Sequence, residues 1–297
     1  ITGASGNTGS AAAHALLDSG KQVRVIGRNP DHLRQFTARG AEAFIADVTD
    51  EAKLSTAFKS AEAVYLMIPP NLSAEDYYAY DERVTSAYVS ALRQARVSHA
   101  VVLSSIGADK PAGTGPVVGL HRLEKALDQI GGLNTLHIRA GYFMENTLAQ
   151  AGVIRSMGNM VGPVRGDLKL PMIAGRDIGA AAARAMVSLD FKGHETRELQ
   201  GQRDITYNEA AVIIGKTIGK PDLKYAQLPN DQLRPALVNM GMSNNFVDLL
   251  LEMAGALNSG YMKNLEPRSA RNTTTTSFET FVAEKFLPVF QRLTAAA

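Results

Sequence analysis

The chain has 297 residues, 31 Lys and Arg against 29 Asp and Glu, a net charge of +2 and 45% hydrophobic residues. That length suits one large domain or two modest ones with a full core, and the near-neutral balance gives no case for nucleic acid as a partner. There is no cysteine, which excludes disulfides, thiolate metal sites and cysteine nucleophiles; no apolar run approaches the roughly 20 residues of a membrane helix, no signal-peptide pattern is visible, and the expectation is a cytoplasmic protein with no membrane partner.

The opening Ile1-Thr2-Gly3-Ala4-Ser5-Gly6-Asn7-Thr8-Gly9 reads as the tail of a strand, a glycine-rich turn and the start of a helix, with the expectation that a few residues of that strand precede Ile1. Gly3 allows a tight turn, Gly6 lets the backbone approach a pyrophosphate, and Gly9 lets the helix pack close to the strand. The alanine-rich helix behind it would aim its N–H groups and dipole at that pyrophosphate, with Ser5, Asn7 and Thr8 beside it. A strand-like run at 22–27 completes the spacing of a βαβ unit.

Strand and helix signals then alternate. A helix at 31–39 starts behind Pro30, and a short apolar strand at 43–46 ends at Asp47. A helix at 52–58 leads to a buried strand at 63–68, stopped by Pro69 and Pro70. A helix at 74–95 leads to a strand at 100–103, which ends at Ser104 and Ser105. A helix at 120–130 stops at Gly131-Gly132, before a strand at 135–139. Continuous apolar strands separated by helices predict an α/β protein: a Rossmann-like doubly wound parallel sheet covered on both faces.

After about residue 142 the pattern loosens. Helices are expected at 177–189 and at 206–218, the latter with a capping box, Thr206-x-x-Glu209. A strand is expected at 221–228 and amphipathic helices at 246–257 and 278–293, around a polar, threonine-rich loop at 258–277. This predicts a dinucleotide-binding domain at 1–190 and a smaller, partly helical C-terminal substrate-side domain at 191–297, with part of 145–175 joining the latter. The closing Ala295-Ala296-Ala297 reads as a frayed or appended end.

In open α/β sheets, ligands lie across the carboxyl ends of the strands. Gly27 and Arg28 follow the second strand. No carboxylate stands there for ribose hydroxyls, and the Arg28 guanidinium can pair bidentately with a 2′-phosphate. That points to NADP(H) in preference to NAD(H). Asp47 suits the adenine amino group, or equally a turn. Ile68 and Pro69 would flank the nicotinamide-side ribose. Ser104 or Ser105 would bond a substrate carbonyl or the nicotinamide, or merely end a strand. His121 and Lys125 share a helix face and offer a proton donor and a cation for carbonyl reduction; Glu124 between them is an ion-pair candidate. Gly141, Tyr142, Phe143 and Asn146 either line a pocket or join the core. His14, His32, His99, His137 and His194 show no metal-ligand spacing, so no metal is expected.

Several of these motifs together resemble the NmrA-like family of atypical short-chain dehydrogenases/reductases, which includes NADPH quinone reductases and triphenylmethane reductases. They are Gly3-x-x-Gly6-x-x-Gly9, the Gly27-Arg28-Asn29-Pro30 turn, the Ser104-Ser105 strand end, Arg139-x-Gly141-Tyr142-Phe143-x-x-Asn146, Gly175-Arg176-Asp177-Ile178-Gly179 and Leu199-x-Gly201-x-Arg203-Asp204-x-Thr206. The resemblance spans nearly the whole chain. It implies a Rossmann-like domain that binds NADP(H) and a small C-terminal domain closing a cleft over the nicotinamide. One departure stands out: of the nine tyrosines, none has Lys four residues on, so the Tyr-x-x-x-Lys pair of the wider superfamily is missing. His121 to Lys125 stands about where that motif would fall, with His in the tyrosine place.

The expectation is therefore an NADPH-dependent reductase of a quinone-like or other conjugated small molecule. His121 is the first candidate for proton donor or carbonyl anchor, Lys125 the second, with Tyr142 also a catalytic candidate; Tyr142, Phe143 and the Pro69-Pro70 segment would shape the pocket. A non-catalytic NADP-sensing regulator is the alternative, and a sugar-nucleotide epimerase is disfavoured by the missing pair. The reading leaves room for a homodimer.

Overall fold

A computed structural model of the chain describes residues 1–295; Ala296 and Ala297 of the closing alanine run lie outside the described residues. Each apolar run becomes a strand flanked by a segment long enough to carry the chain back over the sheet, which parallel pairing requires. α1 (Asn7–Asp18) leads to β1 (Arg24–Gly27), a 3₁₀ turn and α2 (Arg34–Thr37) to β2 (Glu42–Ile45), α3 (Glu51–Ala57) to β3 (Ala63–Leu66) and α4 (Tyr77–Ala95) to β4 (His99–Ser105). α5 (Val117–Leu127) then leads to β5 (Asn134–Ala140), α6 (Gln150–Met157) to β6 (Met160–Gly162) and α7 (Gly175–Ser188) to β7 (His194–Leu199). α8 (Tyr207–Thr217), β8 (Tyr225–Gln227), α9 (Asn230–Asn239), α10 (Asn244–Asn258), α11 (Phe278–Phe281) and α12 (Leu287–Ala295) follow, with a π-helical turn at Val282–Phe286.

β3, β4, β5 and β7 run parallel in that order, and β1 pairs with β2. Ile1 and Thr2 join the two sheets: Ile26 N donates to Ile1 O at 2.9 Å, and Thr2 N to Tyr65 O at 3.0 Å. The order across is therefore β2, β1, Ile1–Thr2, β3, β4, β5, β7. The progression reverses at Ile1–Thr2, the kind of switch point where open α/β sheets bind ligands.

Both faces are covered. Leu16, Val25, Phe36, Ile178 and Phe191 fill the side under α1 and α7, and Leu54, Phe58, Val84, Tyr88 and Leu123 the side under α3, α4 and α5. α1 and α7 touch backbone to backbone, since a Cβ on Gly179 would collide with the Thr8 carbonyl. The C-terminal elements pack around Met144, Ile154, Val164, Ile205, Tyr207, Ile214 and Phe286, with β6 pairing β8.

The structure differs from the sequence reading in several elements. β7, counted above with the C-terminal part, pairs with β5 from Thr135↔His194 to Ala140↔Leu199, so the main sheet reaches past residue 190. The strand at 221–228 shrinks to Tyr225–Gln227, matched to the three residues of β6. α4 begins at Tyr77, because the Asp76 side chain caps it by accepting from Ala79 N at 2.9 Å. α9 is additional, and it contains Pro235. Among the described residues, no helix is long and apolar enough to cross a membrane.

Candidate functional site

The glycine loop closes on itself. Gly3 adopts φ +62°, a conformation that side chains resist, and a Cβ there would stand 2.5 Å from Met67 Sδ. Gly6 N donates to Gly3 O at 2.9 Å. A Cβ on Gly9 would collide with that same Gly3 oxygen, so glycine lets the helix begin against the turn. Gly6 caps α1 without a side-chain bond, and no acidic residue stands in the first turn. Ser5, Gly6 and Asn7 are exposed, and the first N–H groups of a helix have no partner within it. The result is an unblocked, electropositive helix start at the switch point, a cradle that fits a pyrophosphate. Thr8 is turned inward: it is buried, and its Oγ1 accepts from the Tyr65 hydroxyl at 2.8 Å.

Arg28 and Asp47 come together. Ala46 N donates to Gly27 O at 3.1 Å, so the residues one step further on leave β1 and β2 side by side. Arg28 Nη1 lies 3.9 Å from Asp47 Oδ2, with the arginine side chain 80% exposed. Asp47 Oδ1 accepts from Thr49 N at 2.9 Å and Thr49 Oγ1 at 2.7 Å. Partial burial pushes this carboxyl up, but the Thr49 bonds and the Arg28 charge outweigh it and hold Asp47 below the usual range. Ile68 is buried and Pro69 half-buried. Tyr80 of α4 donates its hydroxyl to Pro69 O at 2.9 Å. Burial and the neighbouring carboxylates, Asp47 first, push that hydroxyl up to about 12. Sequence reasoning misses Tyr80, one of several tyrosines at the start of an amphipathic helix.

The two serines part company. Ser104 Oγ donates to Glu124 Oε1 at 2.5 Å, and Arg139 donates to both Glu124 oxygens at 3.0 and 2.6 Å. Ser104 is 2% exposed, so its hydroxyl serves the interior, and Glu124 is the ion-pair partner of Arg139. Ser105, half-buried, donates to Ile106 O at 3.0 Å. On α5, His121 Nδ1 lies 2.8 Å from Ala108 O. A carbonyl oxygen can only accept, so Nδ1 carries hydrogen and donates it there, which leaves Nε2 as the ring nitrogen without that bond. Lys125, one turn on, is exposed.

At the end of β5, Gly141 is small for packing: a Cβ there would collide with the Pro171 carbonyl. The Tyr142 hydroxyl lies 2.8 Å from that of Tyr207, and burial, opposed by bonds to Tyr207 and Asn146, pushes Tyr142 up. Tyr142 and Phe143 are half-buried against the two cores. Glu145, absent from the sequence candidates, accepts the Gly175 N–H on both oxygens at 2.9 and 3.1 Å. Gly175 in turn lies against Asn7, whose Cβ stands 2.9 Å from where its own would be. The Gly141–Asn146 stretch is thereby tied to the glycine loop. Its signal in the sequence was the Gly175-Arg176-Asp177 motif, whose partner could not be read from the chain.

Among the described residues, no group of three or more His, Asp or Glu could hold a metal ion. A cavity of 570 Å³ opens at the amino ends of the strands, lined by Val23, Arg24, Phe58 and Lys59. It lies away from the carboxyl edge, where the groups just described are found.

The model of the NmrA-like family matches residues 1–283. The chain belongs to the NmrA-like family. Quinone oxidoreductase 2 of Escherichia coli strain K12 is 30% identical over 258 residues, 85% of each chain. NAD(P)H azoreductase of Xenophilus azovorans is 25% identical over 257 residues, again 85% of each. The crystal structure of an NADPH-dependent quinone oxidoreductase from Escherichia coli complexed with NADPH aligns with a TM-score of 0.75 at 23% identity, over 100% of this chain and 98% of that one. At that identity the likeness carries the fold. It agrees with the Rossmann-like α/β architecture expected from the sequence.

Proposed function

We propose that this NmrA-like chain is an NADPH-dependent reductase of a quinone-like or other conjugated small electrophile. One observation carries the reading: the unblocked, acid-free start of α1 behind Gly3-x-x-Gly6-x-x-Gly9, at the switch point, with Arg28 directly after the strand that pairs with Ile1. The names of the quinone oxidoreductase and azoreductase relatives support it.

When bound, the dinucleotide supplies a hydride. The chain's own groups hold and orient it. The N–H groups at the start of α1 take the pyrophosphate, and Arg28 takes the 2′-phosphate, which favours NADP(H) over NAD(H). Ile68 and Pro69 give an apolar wall on the nicotinamide side, and Ser105, with Gly141, Tyr142 and Phe143 behind it, borders the reacting end. His121 gives the carbonyl oxygen its proton from Nε2. That leaves the neutral Nδ1–H form, which Ala108 O already holds, so no hydrogen bond has to rearrange. Lys125 is the second cation on this face. Residues 191–297, apart from β7, would complete the pocket on the substrate side.

The test is turnover. The purified chain is mixed with NADPH and a panel of small quinones, and loss of NADPH absorbance is followed. Oxidation well above background supports the reading; tight NADPH binding with no turnover of any acceptor would favour a dinucleotide sensor instead.

A further inference from the structure

We propose that Asp47 sets cofactor choice in opposition to Arg28: the arginine favours the 2′-phosphate of NADP(H), and the aspartate keeps NAD(H) usable and restrains that preference. This inference rests on the dinucleotide reading above and adds to it a residue with the opposite sign.

The geometry supports a shared site. The two residues leave adjacent parallel strands directly after the Ala46 N to Gly27 O bond, and their charged groups stand 3.9 Å apart. That is too long for a hydrogen bond, so Asp47 places a negative charge beside the guanidinium without consuming its N–H groups. Arg28 remains 80% exposed and open to a second acceptor.

Asp47 is itself held in place. Both Thr49 bonds fall on Oδ1, which leaves the lone pairs of Oδ2 facing Arg28. The carboxyl is held below its usual range, so it is an anion wherever the protein would work. An anion at this point accepts a hydrogen bond from a ribose hydroxyl but repels a phosphate dianion in the same place. One carboxylate thus acts with opposite sign on the two cofactors. The groups are substantially exposed, so the effect is modest and screened by salt.

The experiment is calorimetric titration of the intact chain with NADPH, NADH, adenosine 2′,5′-bisphosphate and 5′-AMP, at low and high salt. Wild type, Asp47→Asn and Arg28→Ala are compared. Asparagine keeps an oxygen for Thr49, so the turn should persist; Thr49→Val, which keeps the charge and the backbone N–H bond but loses the hydroxyl bond, serves as a second variant. Asp47→Asn is expected to raise the ratio of NADPH to NADH affinity by about three- to tenfold at low salt, less at high salt. The two adenosine probes should follow the same ratio. Arg28→Ala should lower it, and Thr49→Val should not raise it. Equal effects of Asp47→Asn on both dinucleotides, or a lowered ratio, would overturn the inference and leave Asp47 a turn residue. If wild type binds none of the four probes, the dinucleotide reading falls, and this inference with it.

Discussion

Asp81 of α4 presses its carboxyl group onto the backbone of Gly119 in α5, so closely that a Cβ on Gly119 would collide with Oδ2. Asp81 is 3% exposed, and its Oδ1 has no hydrogen-bond partner among the described residues. Burial, only partly opposed by Arg122, raises this carboxyl from 3.8 to about 7. Between those values the folded chain holds a proton that the unfolded chain has lost, so stability falls as pH rises through the window. The loss is complete above about pH 7 and amounts to about 4 kcal/mol. Asp81→Asn is expected to raise the thermal midpoint at pH 8 and to flatten the decline from pH 4 to 8. Differential scanning calorimetry over that range checks it; a variant that melts lower than wild type at pH 8 would show the charge to be stabilising.

The Glu124–Arg139 pair should behave as a buried ion pair, with side chains 5% and 14% exposed. Glu124→Gln leaves Arg139 without its counter-charge and is expected to cost about 3–5 kcal/mol in urea unfolding. Ser104→Ala removes one bond to the same carboxylate and should cost about 1 kcal/mol. NADPH affinity should stay within twofold for the serine variant. A large loss of affinity without a loss of stability would return Ser104 to the cofactor site.

Gly9→Ala places a Cβ into the Gly3 carbonyl. Either the turn opens or the helix start moves. The variant is expected to lose at least tenfold in NADPH affinity and about 2 kcal/mol in stability. Gly131→Ala is the matched control: a Cβ there meets nothing within 4 Å, and stability should change by less than about 0.5 kcal/mol.

His121→Ala is expected to lower kcat for a quinone acceptor on the order of 10²-fold, the usual scale for a lost proton donor. The Kd for NADPH should stay within twofold. Loss confined to Kd, with kcat intact, would make His121 a cofactor contact.

Much of this was legible in the chain because it depends on local signals. Gly6 and Gly9 both pack against the Gly3 carbonyl, within nine residues, and apolar runs such as Val64–Leu66 mark strands buried on both faces. β7 lacked that signal. It lies at the edge of its sheet, and His194, Glu195, Thr196, Arg197 and Glu198 alternate between contacts, so the apolar run breaks up. α9 was hidden by Pro235. The serine pair shows the limit within the site. Adjacent residues on a strand face opposite sides, and only the partners Glu124 and Arg139, 20 and 35 positions further along the chain, decide that Ser104 turns inward. Tyr80 and Glu145 were unreadable for the same reason, and the Gly175 motif was visible without its partner: their roles come from contacts with Pro69, Asn7 and each other that no local pattern announces.

The central claim is that the opening loop grips a diphosphate. A crystal structure of this chain grown with NADP(H) tests it most directly. The account predicts the pyrophosphate on the backbone N–H groups at Gly6–Gly9 and the 2′-phosphate within hydrogen-bond reach of the Arg28 guanidinium. A dinucleotide seated elsewhere, or crystals grown at saturating NADP(H) that leave this loop empty, would contradict it.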